Sequence, residues 1–246
     1  MICLQGHTSG AHLSWGDCIT PNDPIRLMKN VDYAIQAVNN GYVAICIEQT
    51  CFGERQERKV QHRWEHTCVD ATNRLFLLGQ TVLADRINDV SSIIDWLTTA
   101  EIEFPKMNNN IIHAMGNSAG GETALYACIF DERISAIIAA GCIGRFTETS
   151  GIRLTCPDTV IPGILNWLEY EDILALCAPR VLVGLSGDKD HLYPYEKMEV
   201  CINKAKEFYK ELNAEEKIIA IKGIGGHRFY PESVWPAFIK INNNNL

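Results

Sequence analysis

The stretch NIIHAMGNSAGGETALYACIF, residues 110–130, passes from an apolar extended run through a turn of small residues into an apolar helical run. Ser118 stands in the turn, between Gly116-Asn117 and Ala119-Gly120-Gly121. A strand that turns at once into a helix sets a serine hydroxyl at the helix N-terminus. Backbone N–H groups there are free to hold developing negative charge. The small neighbours have a reason, because a serine on such a turn is strained and strand and helix must approach closely. G-x-S-x-G in this setting reads as a nucleophile elbow; the bland alternative is a glycine-rich turn with an incidental serine.

An elbow nucleophile calls for an acid and then a histidine, in that chain order. The run RVLVGLSG (180–187) is followed by DKDHLYP, and KIIAIKG (217–223) by IGGHRFYP. Both polar groups fall just beyond the carboxyl end of an apolar strand, as Ser118 does. His227, behind Gly225-Gly226, is the candidate general base, and Asp190 the candidate acid that holds its tautomer and stabilises the imidazolium. Asp188 is the other acid in reach; it reads better as a residue shaping the turn through Asx-type hydrogen bonds. Two oxyanion donors are expected: the backbone N–H of Ala119, and that of His7 in the loop QGHTSGAH.

Outward from this centre, short apolar runs alternate with amphipathic helical ones. Strands are expected at MICLQ, YVAICIEQ, residues 110–115, ISAIIAAG, RVLVGLSG and KIIAIKG. Helices are expected at VDYAIQAVNNG, TVLADRINDVSSIIDWLTTA, residues 119–130, EDILALCAP, YEKMEVCINKAKEFYKEL and PESVWPAFIKI. Six strands apolar on both faces and separated by helices imply one doubly wound, mostly parallel α/β sheet. The whole chain, 1–246, reads as a single domain. Residues 143–169, with scattered Gly, Pro and Thr, would form a cap or lid over the sheet edge where ligands bind. The stretch 50–78 is charged and irregular.

The bulk properties bound the function. A net charge of −8 speaks against a nucleic-acid partner. No apolar stretch approaches the roughly 18 residues of a membrane span. The start MICLQGH has no basic n-region and no long apolar core, so no signal peptide is read. Ten cysteines are scattered with no C-x-x-C pair, which reads as reduced thiols in a cytoplasmic protein. Neither a zinc spacing nor a third ligand beside His7 and His12 is visible, so no metal and no cofactor are expected.

These residues resemble the α/β-hydrolase superfamily, and within it the dienelactone hydrolase and acetyl xylan esterase-like branch. The similar stretches are LQGHTSG, GYVAICIEQTCFGER, LLGQTVLADRINDVSSIIDWL, GNSAGG, CAPRVLVGLSGDKDHLYP and GGHRF. The resemblance implies the α/β-hydrolase fold, a triad of Ser118, Asp190 and His227, and an oxyanion donor at His7. Two departures stand out. The superfamily has strands before the LQGH strand, with which this chain begins, and its usual histidine before the loop glycine is replaced by Gln5. Glu48, Glu54 and Arg55 also match the family. Glu48, Arg55 and Tyr193 are candidate substrate-binding residues, against the alternative that Glu48, Glu54 and Arg55 form a structural ion-pair cluster. Arg86, Asp89 and Asp95 read as a solvated helix face or as helix-to-loop ties. Trp64, Phe146, Trp167 and Tyr193 are candidate pocket aromatics.

The reading that follows is a serine hydrolase of a small-molecule carboxylic ester, including deacetylation of an acylated sugar, in a chain that could associate with copies of itself. The alternatives are a serine peptidase of prolyl-oligopeptidase-like type and a non-catalytic binding protein that kept the fold.

Overall fold

The computed structural model describes residues 1–56, 67–99, 108, 111–149 and 156–243. Six strands form one sheet: β1 (Ile2–Leu4), β2 (Ile45–Cys46), β3 (Ile112–Asn117), β4 (Ile134–Ala140), β5 (Val181–Gly187) and β6 (Ile218–Gly223). Their order is β2-β1-β3-β4-β5-β6 and every pairing is parallel. All six carboxyl ends therefore point to one edge. The helices are α1 (Asp23–Leu27), α2 (Tyr33–Asn39), α3 (Thr67–Leu77), α4 (Val82–Thr99), α5 (Ala119–Phe130), α6 (Tyr170–Ala175), α7 (Tyr195–Glu211) and α8 (Pro231–Asn243).

The strands alternate with period two between the two cores. Ile2, Leu4, Ile137, Ala139, Leu182 and Ile218 face one layer, built on α4, α5, α6 and α7. Met1, Cys3, Ile138, Ala140, Val183 and Leu185 face the other, where Tyr33 and Ala37 of α2 meet Val234, Trp235 and Phe238 of α8. α5 is buried along nearly its whole length, from Ala119 to Cys128. A helix apolar all round belongs in a core, and α5 lies under the centre of the sheet.

The expected six-stranded parallel α/β sheet is present. Three segments differ from expectation: YVAICIEQ, the 50–78 stretch, and Asp23–Leu27, which forms the unexpected short helix α1. Only Ile45–Cys46 of YVAICIEQ pairs as strand, with Ile2 and Cys3 opposite. The irregular 50–78 stretch contains α3, whose buried Cys68 and Ala71 pack on Cys51 and Val82 in a small satellite core. Within 143–169, the described residues hold only short 3-10 turns at Phe146–Glu148, Pro157–Thr159 and Ile164–Asn166. No helix among the described residues is long and apolar enough to cross a membrane.

Candidate functional site

The turn between β3 and α5 places Ser118 at φ 57° and ψ −128°. This is a left-handed conformation that costs a residue with a Cβ of order 1–3 kcal/mol, and it persists only where the surroundings impose it. Those surroundings are close backbone contacts. A Cβ at Gly120 would lie 2.1 Å from the Leu4 carbonyl oxygen, and one at Gly116 would lie 2.3 Å from the Gly120 carbonyl carbon. The elbow therefore wedges β1, β3 and α5 together, and Ser118 N–H donates to the Ala140 carbonyl at 2.7 Å. Gly6 lies against the same turn, with space for a Cβ only 3.1 Å from Ser118 Cβ. The loop after β1 thus abuts the serine. Neither His7 N–H nor Ala119 N–H donates to another described backbone group.

β5 and β6 deliver the other two groups. Asp190 Oδ2 lies 2.7 Å from His227 Nδ1. Its Oδ1 accepts from the Leu192 and Tyr193 N–H groups at 2.8 and 3.0 Å. Burial pushes the Asp190 carboxyl up, but the hydrogen bond and charge of His227 and the two backbone donors outweigh it and hold it below the usual carboxylate range. Asp188 instead accepts from Gly225 N–H at 2.7 Å, bracing the turn ahead of the histidine. The His227 ring lies over Gly141, whose missing Cβ would fall 2.9 Å from His227 Cε1. Gly141 follows Ala140, the partner of Ser118 N–H. His227 and Ser118 are thus neighbours across the end of β4. Among the described residues no hydrogen bond joins Ser118 Oγ to His227. Such contacts often tighten only when substrate binds.

The other candidates lie as follows. The Glu48 carboxylate accepts from the Gln5 side chain and from Ala11 N–H at 3.1 Å, and so ties the loops after β1 and β2. Gln5 thereby braces the loop after β1. Arg55 pairs with Asp89 and donates to the Glu48 carbonyl at 3.1 Å. Glu48 and Arg55 therefore meet through backbone and not as an ion pair. Tyr193 is buried, 6.5 Å from the His227 ring centroid, and its hydroxyl donates to Glu122 Oε1 at 3.3 Å. Phe146 packs on Tyr170, whereas Trp167 is 84% exposed. Trp64 lies outside the described residues.

Two further groups had weak sequence signals. Glu122, the one charge inside the apolar run of α5, is buried behind the elbow, and burial pushes its carboxyl up to about 8. Arg86 is fully buried, which corrects its reading as a solvated residue; it donates to the Thr50 carbonyl and lies 2.7 Å from Asp158 Oδ2. The helix-to-loop reading holds for Arg86, as it does for Asp89.

The expectation of isolated thiols fails for one pair. Cys68 Sγ and Cys156 Sγ are in direct contact, although 88 residues separate them. His7 and Asp158 join them, and the four side chains form a group of potential metal ligands. His12 is elsewhere, paired with Asp23 at 2.9 Å.

No protein-family model matches the sequence. No curated protein matches it either. Solved structures do. A glucuronoyl esterase of carbohydrate esterase family 15 from Caldicellulosiruptor kristjansonii is similar over 86% of this chain and 60% of its own, at 20% identity and TM-score 0.59. Another, from Teredinibacter turnerae, covers 99% of this chain and 66% of its own, at 16% identity and TM-score 0.62. A Bacteroides fragilis protein, provisionally described as an acetyl xylan esterase, covers 96% and 60%, at 17% identity and TM-score 0.66. The chain thus spans about 60% of the length of the first of these esterases. A parallel sheet in this order, a strained serine between its third strand and the following helix, and likeness to these esterases together give the chain the α/β-hydrolase fold.

Proposed function

We propose that the chain is a serine hydrolase of small carboxylic esters. The observation that carries this is the His227–Asp190 pair, held at the sheet edge beside a serine in a strained elbow. In this reading Ser118 Oγ attacks the ester carbonyl while His227 Nε2 takes its proton. Backbone N–H groups of His7 and Ala119 hold the oxyanion. Collapse breaks the ester C–O bond, and the proton on His227 goes to the leaving alkoxide. Water then attacks the acyl-enzyme with His227 again as base, releasing the acid and restoring Ser118. Asp190 keeps His227 Nδ1 protonated and stabilises the imidazolium.

The structural neighbours are named as glucuronoyl, acetyl xylan and methyl esterases. That favours an ester on a sugar unit, such as an acetylated hydroxyl, as the substrate class. Labelling by a fluorophosphonate probe, in wild type and Ser118→Ala, tests the reading. Labelling of folded wild type and its loss in the variant support it; an unlabelled wild type refutes it. Faster turnover of an aminoacyl anilide than of p-nitrophenyl acetate would instead favour the peptidase alternative.

A further inference from the structure

We propose that His7, Cys68, Cys156 and Asp158 form a closed structural site for a divalent, zinc-like cation. Four ligand atoms, one imidazole nitrogen, two sulfurs and one carboxylate oxygen, lie within 4.8 Å of one another. His7 Nε2 is 3.2 Å from Asp158 Oδ2 and 3.8 Å from Cys68 Sγ. A tetrahedral ion with bonds of about 2.0 Å to nitrogen and oxygen and about 2.3 Å to sulfur sets its ligands roughly 3.3–3.8 Å apart. The His7 separations already suit such an ion; the two sulfur atoms stand at bonding distance and would part to about 3.8 Å to admit it.

Three further observations favour a metal over a cystine at this point. The Cα atoms of Cys68 and Cys156 are 7.2 Å apart, beyond the roughly 4.4–6.8 Å that disulfides span. Asp158 is buried, and among the described residues its Oδ1 has no hydrogen-bond partner; a carboxylate so short of donors is better satisfied with a cation beside it. The charges also close. Two thiolates and a carboxylate with a divalent cation leave one negative charge, and the fully buried Arg86 guanidinium beside Asp158 supplies the positive one. Arg86 lies 4.6 Å from the centre of the Phe52 ring, on which the His7 ring also packs. Phe52 and Arg86 thereby fix the orientation of two ligands, as outer groups at metal centres commonly do.

The site would join three segments remote in sequence: the loop after β1, the start of α3 and the 3-10 turn at Pro157–Thr159. His7 follows Gly6, which abuts Ser118. A cation here would therefore hold the proposed oxyanion loop from behind. Four protein ligands leave no open position, so the ion would act structurally and activate no water.

The test needs no substrate, so its outcome is independent of the esterase reading. The full chain is purified under reducing conditions without a histidine tag, and its zinc is measured by elemental analysis. About one zinc per chain is expected, falling below about a tenth in Cys68→Ser and in Cys156→Ser and unchanged in Cys51→Ser. Because a ligand variant could lose metal by misfolding, wild type is also reconstituted with Co2+. Thiolate-to-cobalt charge-transfer bands are expected in the near-ultraviolet and tetrahedral d–d absorption in the visible spectrum. A wild type without stoichiometric metal overturns the proposal, whether its Cys68 and Cys156 prove disulfide-bonded or free on thiol titration. So does zinc retained in both cysteine variants, or a cobalt spectrum without thiolate bands.

Discussion

Gly120→Ala tests the wedge beneath Ser118. In an ordinary helix this change stabilises by about 1 kcal/mol, because alanine outranks glycine in helix propensity. Here the new methyl would stand 2.1 Å from the Leu4 carbonyl oxygen and 2.7 Å from that of Gln5. A carbon and a carbonyl oxygen need about 3.3 Å, so β1 and α5 must part by roughly 1.2 Å. Both obstructing atoms are backbone, so no side chain can swing aside. Overpacking of this kind costs typically about 1–3 kcal/mol or more, which cancels or exceeds the helix gain. With about 2–4 °C of Tm per kcal/mol for a chain of this size, a net loss of roughly 1 kcal/mol lowers Tm by about 2–4 °C. The shift also moves the loop after β1 away from Ser118, and a displacement near 1 Å can reduce turnover about 100-fold. Thermal unfolding by circular dichroism and hydrolysis of p-nitrophenyl acetate read the two effects. A Tm that rises, with activity unchanged, would show that β1 does not lie against α5 and would refute the packing from which the elbow is argued.

Asp190→Asn keeps the shape of the site but removes the charge facing His227, and kcat for p-nitrophenyl acetate is expected to fall by about 10⁴-fold with KM little altered; a loss under tenfold would remove Asp190 from the proposed triad. The same variant reports on acid stability. The folded Asp190 carboxyl is held below its ordinary range, so its contribution is present above pH 4 or so and is lost as pH falls through the lower folded value. The slope of stability against pH in that acid window should be shallower in Asp190→Asn, as measured by urea unfolding. Glu122 gives the opposite sign. Its folded carboxyl titrates at about 8, whereas the unfolded chain ionises near 4.5, so wild-type stability should decline as pH rises from about 5 to 8. Glu122→Gln should flatten that decline, and an unchanged slope would show that Glu122 is already ionised in the fold.

The frame of the molecule was legible because its strands are apolar on both faces and all but β2 run into a glycine at or just past their carboxyl end. VLVGLSG and IIAIKG allow no other reading, and α5 follows its serine without an intervening residue. β2 fell short because YVAICIEQ sits at the sheet border, where only Ile45 and Cys46 have a paired neighbour. α3 was missed because its buried residues, Cys68 and Ala71, are small and spaced among charges, so no apolar stripe stands out. The grouping of His7 with Cys68, Cys156 and Asp158 was beyond any spacing rule, since these residues come from three remote segments joined only by the fold. Arg86 shows the same limit. Nothing in DRINDV separates an arginine in water from one enclosed by Thr50, Phe52 and Asp158.

β6 is the last strand in the sheet and has a single neighbour, β5. Border strands are among the first elements to open in local fluctuations, while central ones hold until the whole domain unfolds. Ser118 leaves from the interior strand β3, whereas His227 is carried on the border strand β6. The proposed catalytic pair therefore spans regions of unequal permanence. The nucleophile belongs to the part of the chain that survives longest, and the base to a part that can detach first. Inactivation need not wait for denaturation: fraying of one border could silence the site while most of the sheet stays intact.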